Sequence, residues 1–277
     1  MRHVVTREEL RSARAALAGS FGLVPTMGAL HRGHLSMVSQ ARRECDHVGA
    51  SIFVNPTQFG PREDFGSYPR NLERDLRMLE EAGVDLVWTP AAGSVYPPGF
   101  QTWISVEEVS APLEGNARPG HFRGVATIVA KLFNSFLPTR AYFGQKDAQQ
   151  VAVIRRMAAD LDFPVEIVVC PTVREKDGLA LSSRNEYLSP EERRAAVVLY
   201  HALTAARTLF ESGRRDGNEL RAAMRKVLCS ESLAREDYVS VADPETLAEL
   251  NEIGGRALLS MEVRIGRTRL IDNITVS

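Results

Sequence analysis

The segment from residue 21 to residue 34 constrains the fold more than any other part of the chain. It reads FGLVPTMGALHRGH, an apolar run followed by a glycine turn and by His31 and His34 at the expected start of a helix near Arg32. A helix that begins there leaves its first backbone N–H groups unpaired and carries partial positive charge at that end, so it favours a bound polyphosphate. At i, i+3 spacing the two imidazoles share one face and can meet one charged group together. The segment therefore predicts a strand, a turn and a helix that form a nucleotide-phosphate site.

The paired histidines differ from the other histidines of the chain. A single histidine is more often a hydrogen-bonded structural or surface residue than a catalytic one, and we expect that of His3, His47 and His201. At His31 and His34 a strand, a glycine turn, paired imidazoles and a helix start coincide. The pattern resembles the His-x-Gly-His signature of the nucleotidyltransferase superfamily, which includes class I aminoacyl-tRNA synthetases and small-molecule adenylating enzymes. By itself it indicates adenylate chemistry and leaves the substrate open.

Composition limits the kind of protein this can be. The chain has 277 residues, 44% hydrophobic and 25% charged, which suffices for one large or two modest domains. A formal net charge of −1 gives no electrostatic reason to expect a nucleic-acid partner. The three cysteines are widely spaced without a Cys-x-x-Cys pair, so we expect reduced thiols in the cytoplasm and neither a disulfide framework nor a zinc site. Without an apolar run of about 18 residues, we expect no membrane span and no signal peptide.

Apolar runs alternate with helical patterns over about the first 170 residues of the chain. A first helix is predicted between a capping box of Thr6 and Glu9 and a stop at Gly19. The runs predict strands over 22–24, 50–54, 86–88, 141–143 and 165–169, and helices over about 34–44, 71–82, 124–136 and 147–161. This rhythm predicts an α/β fold, a Rossmann-like doubly wound parallel sheet with ligands at the carboxyl ends of its strands.

The pattern changes after Pro171. Ser189 and Pro190 with an acidic first turn predict a long helix toward Phe210. A second helix over about 218–229 and alternating runs over 238–241, 257–263 and 268–271 predict a small α+β domain with an antiparallel sheet. We therefore predict two domains, residues 1–172 and a smaller one of residues 173–277 that closes over the active site.

Two segments of the first domain carry polar side chains with two open interpretations each. In FVNPTQF, residues 53–59, Asn55 and Gln58 can present amide groups to a polar substrate or form an ordinary Asx-Pro turn. The basic, glycine-flanked segment RPGHFRG, residues 118–124, opens a helix and is either a functional loop or a solvated loop with cations.

A third segment repeats the strand, glycine and helix-start arrangement. In FGQKDAQQ, residues 143–150, Lys146 can supply a point charge to phosphate, Asp147 can accept from ribose hydroxyls, and Gln150 lies one turn further along the same face. The alternative is a plain surface helix.

The charged segment over 173–185 ends in Ser182, Ser183 and Arg184. Such a loop can fold over a triphosphate, with the guanidinium on phosphate oxygens and the serines donating hydrogen bonds. The alternative is a linker.

Taken together, the segments PTMGALHRGH, FVNPTQF, RPGHFRGV, FGQKDAQQ and DGLALSSRN resemble the pantothenate synthetase family, in order and over nearly the whole chain. The resemblance implies ATP-dependent condensation of (R)-pantoate with beta-alanine to pantothenate, the coenzyme A precursor, with release of AMP and pyrophosphate. It also implies Mg2+, a cytoplasmic homodimer, and an N-terminal domain that binds nucleotide and pantoate beside a smaller C-terminal domain.

The resemblance assigns roles to individual residues. His34 takes the place of the proton donor, and His31 lies beside the phosphates. Gln58 and Gln150 take the positions that hold pantoate, Gln58 also borders the beta-alanine site, and Asn55 is grouped with them. The positions that match the family's ATP contacts are Met27, Gly28, Ala29, Leu30, His31, Arg32, Gly33, His34, Gly144, Gln145, Lys146, Asp147, Val173, Leu181, Ser182, Ser183 and Arg184.

Two positions depart from the family pattern. Gln145 stands where many relatives have glutamate, which removes a charge and leaves only the role of position 145 open. Leu181 stands where methionine is common, and its similar volume predicts little change.

The metal ligands are less defined: phosphates and water are expected to hold Mg2+, with Asp75 as an outer contact.

The implied mechanism has two half-reactions and needs no enzyme nucleophile. The pantoate carboxylate attacks the α-phosphorus of ATP while His31, His34, Lys146, Arg184 and Mg2+ stabilise the growing negative charge. The amine of beta-alanine then attacks the activated carbonyl and AMP leaves. Closure of the loop over 173–185 would keep the intermediate from water.

Two other functions stay open on the sequence. One is a cytidylyl- or adenylyltransferase, which attaches the nucleotide to a phosphorylated substrate and stops there. The other is an ATP-sensing interaction module that needs neither a carboxylate nor an amine.

Overall fold

The computed structural model describes residues 1–61 and 63–277, which form two compact units. The first unit comprises Met1–Glu107, Arg118–Gly144 and Val153–Pro171. The second comprises Glu108–Ala117, Gln145–Ala152 and Thr172–Ser277. Two segments that precede residue 172 in the chain thus cluster with the second unit.

The first unit is built on a parallel sheet of six strands in the order β1-β4-β3-β2-β5-β6. The strands are β1 (Arg2–Val4), β2 (Phe21–Thr26), β3 (His47–Ile52), β4 (Leu86–Trp88), β5 (Arg140–Gly144) and β6 (Glu166–Cys170). The strand order reverses at β2, because β3 and β4 lie on one side of it and β5 and β6 on the other. Doubly wound sheets bind ligands outside the strand ends at such a reversal. The predicted parallel sheet is confirmed.

The helices of the first unit follow the sequence signals with small shifts. They are α1 (Arg7–Ala15), α2 (Arg32–Glu44), α3 (Leu72–Glu81), α4 (Ala92–Val95) and α6 (His121–Phe136), and α7 (Ala148–Asp160) is divided between the units after Ala152. The predicted capping box of Thr6 and Glu9 is present at the start of α1. The strand β1 was not predicted, since it has only three residues and two of them are exposed.

The second unit contains an antiparallel sheet in the order β7-β8-β9. Its strands are β7 (Ala234–Ala242), β8 (Ala257–Ile265) and β9 (Thr268–Val276), and its helices include α5 (Glu114–Ala117), α8 (Pro190–Ala195), α9 (Val198–Glu211) and α10 (Gly217–Leu228). The small antiparallel sheet is confirmed, whereas the single long helix from Pro190 is two helices. At the break, the ψ angles of Ala196 and Val197 are −20° and −19°, which tightens the chain toward 3-10 geometry.

None of the helices within residues 1–61 and 63–277 has the length and apolar character needed to cross a bilayer.

Candidate functional site

A buried carboxylate holds the turn that follows β2. Gly28 and Ala29 have positive φ angles of 84° and 49°. Asp75 on α3 is 1% exposed and accepts hydrogen bonds from the backbone N–H groups of Ala29 (2.8 Å) and Leu30 (2.9 Å). A Cβ on Gly28 would lie 2.9 Å from Asp75 Oδ2, so both the φ angle and the available space favour glycine. The turn is therefore fixed by the protein itself.

The two predicted histidines cap the start of α2 with their own side chains. His31 Nδ1 accepts a hydrogen bond from Gly33 N–H (3.1 Å), and His34 Nδ1 accepts one from His31 N–H (3.3 Å). The ring centroids are 4.1 Å apart. Because Nδ1 is the acceptor in both rings, each neutral imidazole carries its proton on Nε2. Both histidines can therefore donate a hydrogen bond from Nε2 to a bound anion.

This capping corrects the expectation of unpaired N–H groups at the helix start. The N–H of Gly33 is bonded to the His31 ring, and the N–H of His34 donates to the carbonyl oxygen of His31 (2.9 Å). The N–H groups of Ala29 and Leu30 are bonded to Asp75. These N–H groups are therefore already engaged within the protein.

Asn55 and Gln58 lie close together in a 3-10 turn, Pro56–Gln58, that follows β3 and is capped by Asn55. Asn55 Nδ2 donates to Gln58 Oε1 (3.1 Å), and Gln58 Nε2 donates to Met27 Sδ (3.0 Å). Asn55 Oδ1 accepts from the hydroxyls of Thr57 and Tyr96, both at 2.9 Å. The polar atoms of Asn55 are therefore engaged within the protein, which gives this residue the task of orienting the Gln58 amide.

Arg118 and His121 are 8% and 9% exposed, so these two side chains do not fit the solvated-loop interpretation of residues 118–124, whereas Pro119, Gly120 and Arg123 are exposed. His121 Nδ1 is 2.8 Å from the carbonyl oxygen of Gln58 and must carry the proton, because a carbonyl only accepts. His121 Nε2 then accepts from Arg118 Nη1 (2.8 Å), and Arg118 is paired with Glu63 (2.6 Å). These residues fix the backbone at Gln58.

Close backbone packing reinforces this arrangement. A Cβ on Gly124 would lie 2.5 Å from the carbonyl oxygen of Thr57. Helix α6 can therefore pack this closely against the turn of residues 55–58 only with glycine at position 124. A cavity of about 340 Å³ opens beside the turn and is lined in part by Gln58, Trp103 and Arg118. Its volume suits a small molecule.

In the second unit, the predicted segment after β5 forms a 3-10 turn, Gln145–Asp147, that leads into α7. Lys146 Nζ lies 3.6 Å from Asp147 Oδ1. Asn273 on β9 donates from Nδ2 to the carbonyl oxygens of Gln145 (3.0 Å) and Lys146 (2.8 Å). The backbone of the turn is therefore tied to a strand far away in the sequence.

Neighbouring glutamines on α7 have different surroundings. Gln149 is buried, accepts from the Glu114 N–H (2.9 Å) and donates to the carbonyl oxygens of Val109 (3.0 Å) and Pro112 (2.7 Å). Gln150, the residue predicted to bind substrate, is partly exposed. The contacts identify Gln149 as structural.

The predicted 173–185 loop is an ordered hairpin followed by a 3-10 turn, Ser183–Tyr187. Leu181 N–H donates to the carbonyl oxygen of Val173 (3.0 Å), and Ser182 Oγ caps the turn by accepting from Arg184 N–H (3.3 Å). Arg184 is partly buried and Ser183 is buried. The residues predicted for ATP in this segment are thus held in a defined backbone.

The candidate residues fall into two sets. The first unit brings together the turn after β2, the histidine pair, Asn55 and Gln58, and Arg32 lies exposed beside them. The second unit brings together the Gln145–Asp147 turn and the 173–185 loop through β9. The sequence patterns did not reveal the buried residues that hold these segments, because no local signal links them to the segments.

Comparisons with known proteins identify the family of this chain. The family model described as pantoate-beta-alanine ligase matches residues 2–275. A pantothenate synthetase of Roseiflexus sp. (strain RS-1) is 65% identical over 273 residues, which cover 99% of this chain and 98% of that protein. The crystal structure of pantothenate synthetase from Thermus thermophilus is 53% identical, with a TM-score of 0.95 and 99% of each chain covered. Pantoate-beta-alanine ligase from Francisella tularensis, complexed with beta-gamma ATP and beta-alanine, is 35% identical with a TM-score of 0.82, covering 99% of this chain and 97% of that chain. The chain therefore belongs to the pantoate-beta-alanine ligase family.

Proposed function

We propose that this chain joins (R)-pantoate to beta-alanine at the expense of ATP, through a pantoyl-adenylate intermediate, and releases pantothenate, AMP and pyrophosphate. The observation that carries the proposal is the histidine pair, His31 and His34, whose Nδ1 atoms are occupied by backbone N–H groups. Two Nε2–H donors at one helix start suit the charge of a phosphate under attack. Family membership over nearly the whole chain supports the choice of substrates.

In the first half-reaction, a pantoate carboxylate oxygen attacks the α-phosphorus of ATP in line. The new P–O bond forms as the bond to pyrophosphate breaks, so negative charge moves onto the leaving group. His31, His34, Lys146 and Arg184 are the donors proposed to stabilise that charge, and His34 is the proposed proton donor. The remaining proposed ATP contacts position the nucleotide.

In the second half-reaction, the neutral amine of beta-alanine attacks the activated carbonyl. The amide C–N bond forms, the C–O bond to AMP breaks, and the amine loses one proton. No covalent bond to the enzyme is needed, because adenylation has already produced a good leaving group. Water must be excluded, since it can attack the same carbonyl.

Gln58 and Gln150 are proposed to hold pantoate. The Gln58 amide is oriented by Asn55 and Met27, while His121 fixes its backbone. A substrate hydroxyl or carboxylate that binds this amide would meet a preorganised group. Direct contact between Asn55 and substrate stays a prediction.

Mg2+ is proposed to enter bound to ATP. The part of the chain that the structure describes contains no group of three or more His, Cys, Asp or Glu side chains that could hold a metal. Both carboxylate oxygens of Asp75 already accept backbone N–H groups. Asp75 and the other acidic, histidine and cysteine side chains of the described residues therefore do not fit a metal ion held by the protein itself, and we derive no step from one.

A homodimer and a cytoplasmic location are proposed on the family resemblance. Light scattering on the purified protein tests the first, since a dimer has twice the mass of the 30.6 kDa chain. Fractionation of the source cells tests the second.

The decisive experiment is exchange of labelled pyrophosphate into ATP with a panel of small carboxylic acids. We expect exchange with (R)-pantoate and little with its enantiomer, followed by AMP release only when beta-alanine is added. Exchange with none of the acids would refute the proposal. Exchange without amine-dependent AMP release would favour a nucleotidyltransferase, and ATP binding without exchange would favour a sensing module.

A further inference from the structure

The last strand carries two buried polar residues that the proposed mechanism does not use. Asp272 and Asn273 on β9 are 3% and 4% exposed. Successive residues of a strand point to opposite faces, so such a pair can hold two different segments. We propose that Asp272 and Asn273 are positioning residues that hold the Gln145–Asp147 turn and the 173–185 loop in the geometry that ATP requires. This inference rests on the proposed function.

Asn273 holds the turn through both ends of its amide. Its Nδ2 donates to the carbonyl oxygens of Gln145 (3.0 Å) and Lys146 (2.8 Å), which uses both amide hydrogens. Its Oδ1 accepts from Gln145 Nε2 (3.0 Å). The two carbonyl contacts fix which end of the amide is Nδ2, and Oδ1 is then left to face a donor. Gln145 supplies that donor, which gives a role to the position where the family pattern has glutamate.

The carbonyl bonds matter for an anionic ligand. Carbonyl oxygens carry partial negative charge and repel phosphate, whereas here those of Gln145 and Lys146 point to Asn273. The bond at Lys146 also fixes the backbone from which its ammonium group extends. Asn273 thereby acts on ATP through Lys146 without touching it.

Asp272 holds the loop through Arg174. The two side chains form a bidentate ion pair, with Nη1 to Oδ2 at 2.6 Å and Nη2 to Oδ1 at 2.9 Å. Arg174 Nη1 also donates to the carbonyl oxygen of Gly178 (3.0 Å), and its Nη2 donates to that of Asn273 (3.2 Å). Arg174 thus ties the base of the hairpin and its tip to the same strand.

Burial raises the pKa of the Asp272 carboxyl, and its hydrogen bonds with Arg174 oppose that rise. Removal of one partner would leave a buried charge without compensation, which is far more disruptive than the loss of a surface ion pair. The loop and the turn therefore respond to changes in a strand that contributes no group to the reaction.

Asn273→Asp tests the turn with almost no change of shape. A carboxylate oxygen would replace the donor that faces two carbonyl oxygens, so we expect the KM for ATP in pantoate-dependent exchange to rise about tenfold or more. Ser260→Ala is the matched control: Ser260 is buried, pairs across the sheet with Asn273, and its Oγ has no hydrogen-bond partner in the described part of the chain. We expect the control to exchange like the unmodified protein.

A second measurement separates positioning from general loss of stability. If Asn273 acts through Lys146, Asn273→Asp adds less than about a twofold rise in KM when Lys146 is already alanine. A merely structural effect would multiply the KM by the same factor in both backgrounds. Asn273→Ser, which keeps one hydroxyl donor, should give an intermediate KM and replaces Asn273→Asp if that variant does not fold.

Asp272→Asn tests the loop. It keeps the shape, removes the charge that faces Arg174, and should raise the KM for ATP about tenfold. The inference is overturned if Asp272→Asn and the Asn273 variant, Asn273→Asp or its serine substitute, both have the same KM for ATP as Ser260→Ala. It is also overturned if the Asn273 substitution raises the KM for ATP by the same factor whether residue 146 is lysine or alanine. Failure of the unmodified protein to exchange with pantoate would instead refute the proposed function, so the two failures are distinguishable.

Discussion

The turn after β2 and the turn after β5 are held in opposite ways. In the first, the Asp75 carboxylate accepts the N–H groups of Ala29 and Leu30. In the second, the Asn273 amide donates to the carbonyl oxygens of Gln145 and Lys146. Each buried side chain thus satisfies two neighbouring backbone groups of one kind.

The difference decides which groups are left for a phosphate. At the first turn the N–H groups are used internally, so we propose that the donors are the Nε2–H groups of His31 and His34. At the second turn the carbonyl oxygens are used internally, which would keep partial negative charge away from the phosphate that we propose Lys146 binds. The first turn would therefore depend on side-chain donors, and the second on the orientation of its backbone.

The largest effect should follow from His34→Ala. We expect pantoate-dependent exchange to fall by about a hundredfold or more, because the variant loses a preorganised donor to the transferring phosphate. His201→Ala on α9 is the matched control, since His201 is exposed on a helix of the second unit. If His34→Ala exchanged at the rate of His201→Ala, the His34 side chain would not be a donor that stabilises the transferring phosphate.

The contrast also explains what the sequence could predict. The capping hydrogen bonds of His31 and His34 join residues within three positions, and Asn55 and Gln58 are equally close in the sequence, so local patterns were enough to select them. Asn273 is 127 residues from Lys146, and no periodicity or turn signal links the two. The sheets followed from alternation and length, whereas β1 is too short for such a pattern and no local pattern predicted the ψ angles of Ala196 and Val197 at the break after α8.

Asp75→Asn comes next in size. Its amide would place an N–H donor against one of two backbone N–H groups in a buried site, so we expect a loss of about 1–3 kcal/mol in stability and about tenfold in exchange. Asp46→Asn is the control, because Asp46 also accepts a backbone N–H, that of Ser20, but at an exposed position. A metal role for Asp75 predicts something else: excess Mg2+ would then restore exchange, whereas a misplaced turn would not respond to it.

The second unit should also show a distinctive pH dependence. Burial, a hydrogen bond with Glu114 and the charge of Glu114 raise the pKa of Glu262 from 4.5 to about 9. At Glu262 the folded protein then keeps a proton that the unfolded chain loses, so the contribution of this group to stability is fully present below pH 4.5 and decreases as the pH rises toward 9. Between pH 4.5 and 9 the free energy of unfolding should fall less steeply for Glu262→Gln, which cannot ionise at this position, than for the unmodified protein. The two slopes should differ by up to about 1.4 kcal/mol per pH unit. Urea unfolding at several pH values measures this, with Glu166→Gln on β6 as the exposed control; parallel profiles for Glu262→Gln and the unmodified protein would contradict it.

The smallest effect is expected from Gln145→Glu. A carboxylate would replace the Nε2 donor that Asn273 Oδ1 accepts. Because position 145 is partly exposed, the new carboxylate can relieve the repulsion by turning into solvent, which leaves the Asn273 bonds to the carbonyl oxygens of Gln145 and Lys146 in place. Only the side-chain bond between residues 145 and 273 is then lost and one negative charge is added, so we expect about a threefold rise in the KM for ATP and no change in the KM for pantoate. Gln145→Ala removes the same donor without adding charge, so equal KM values for the two variants would mean that the added charge has no effect on ATP.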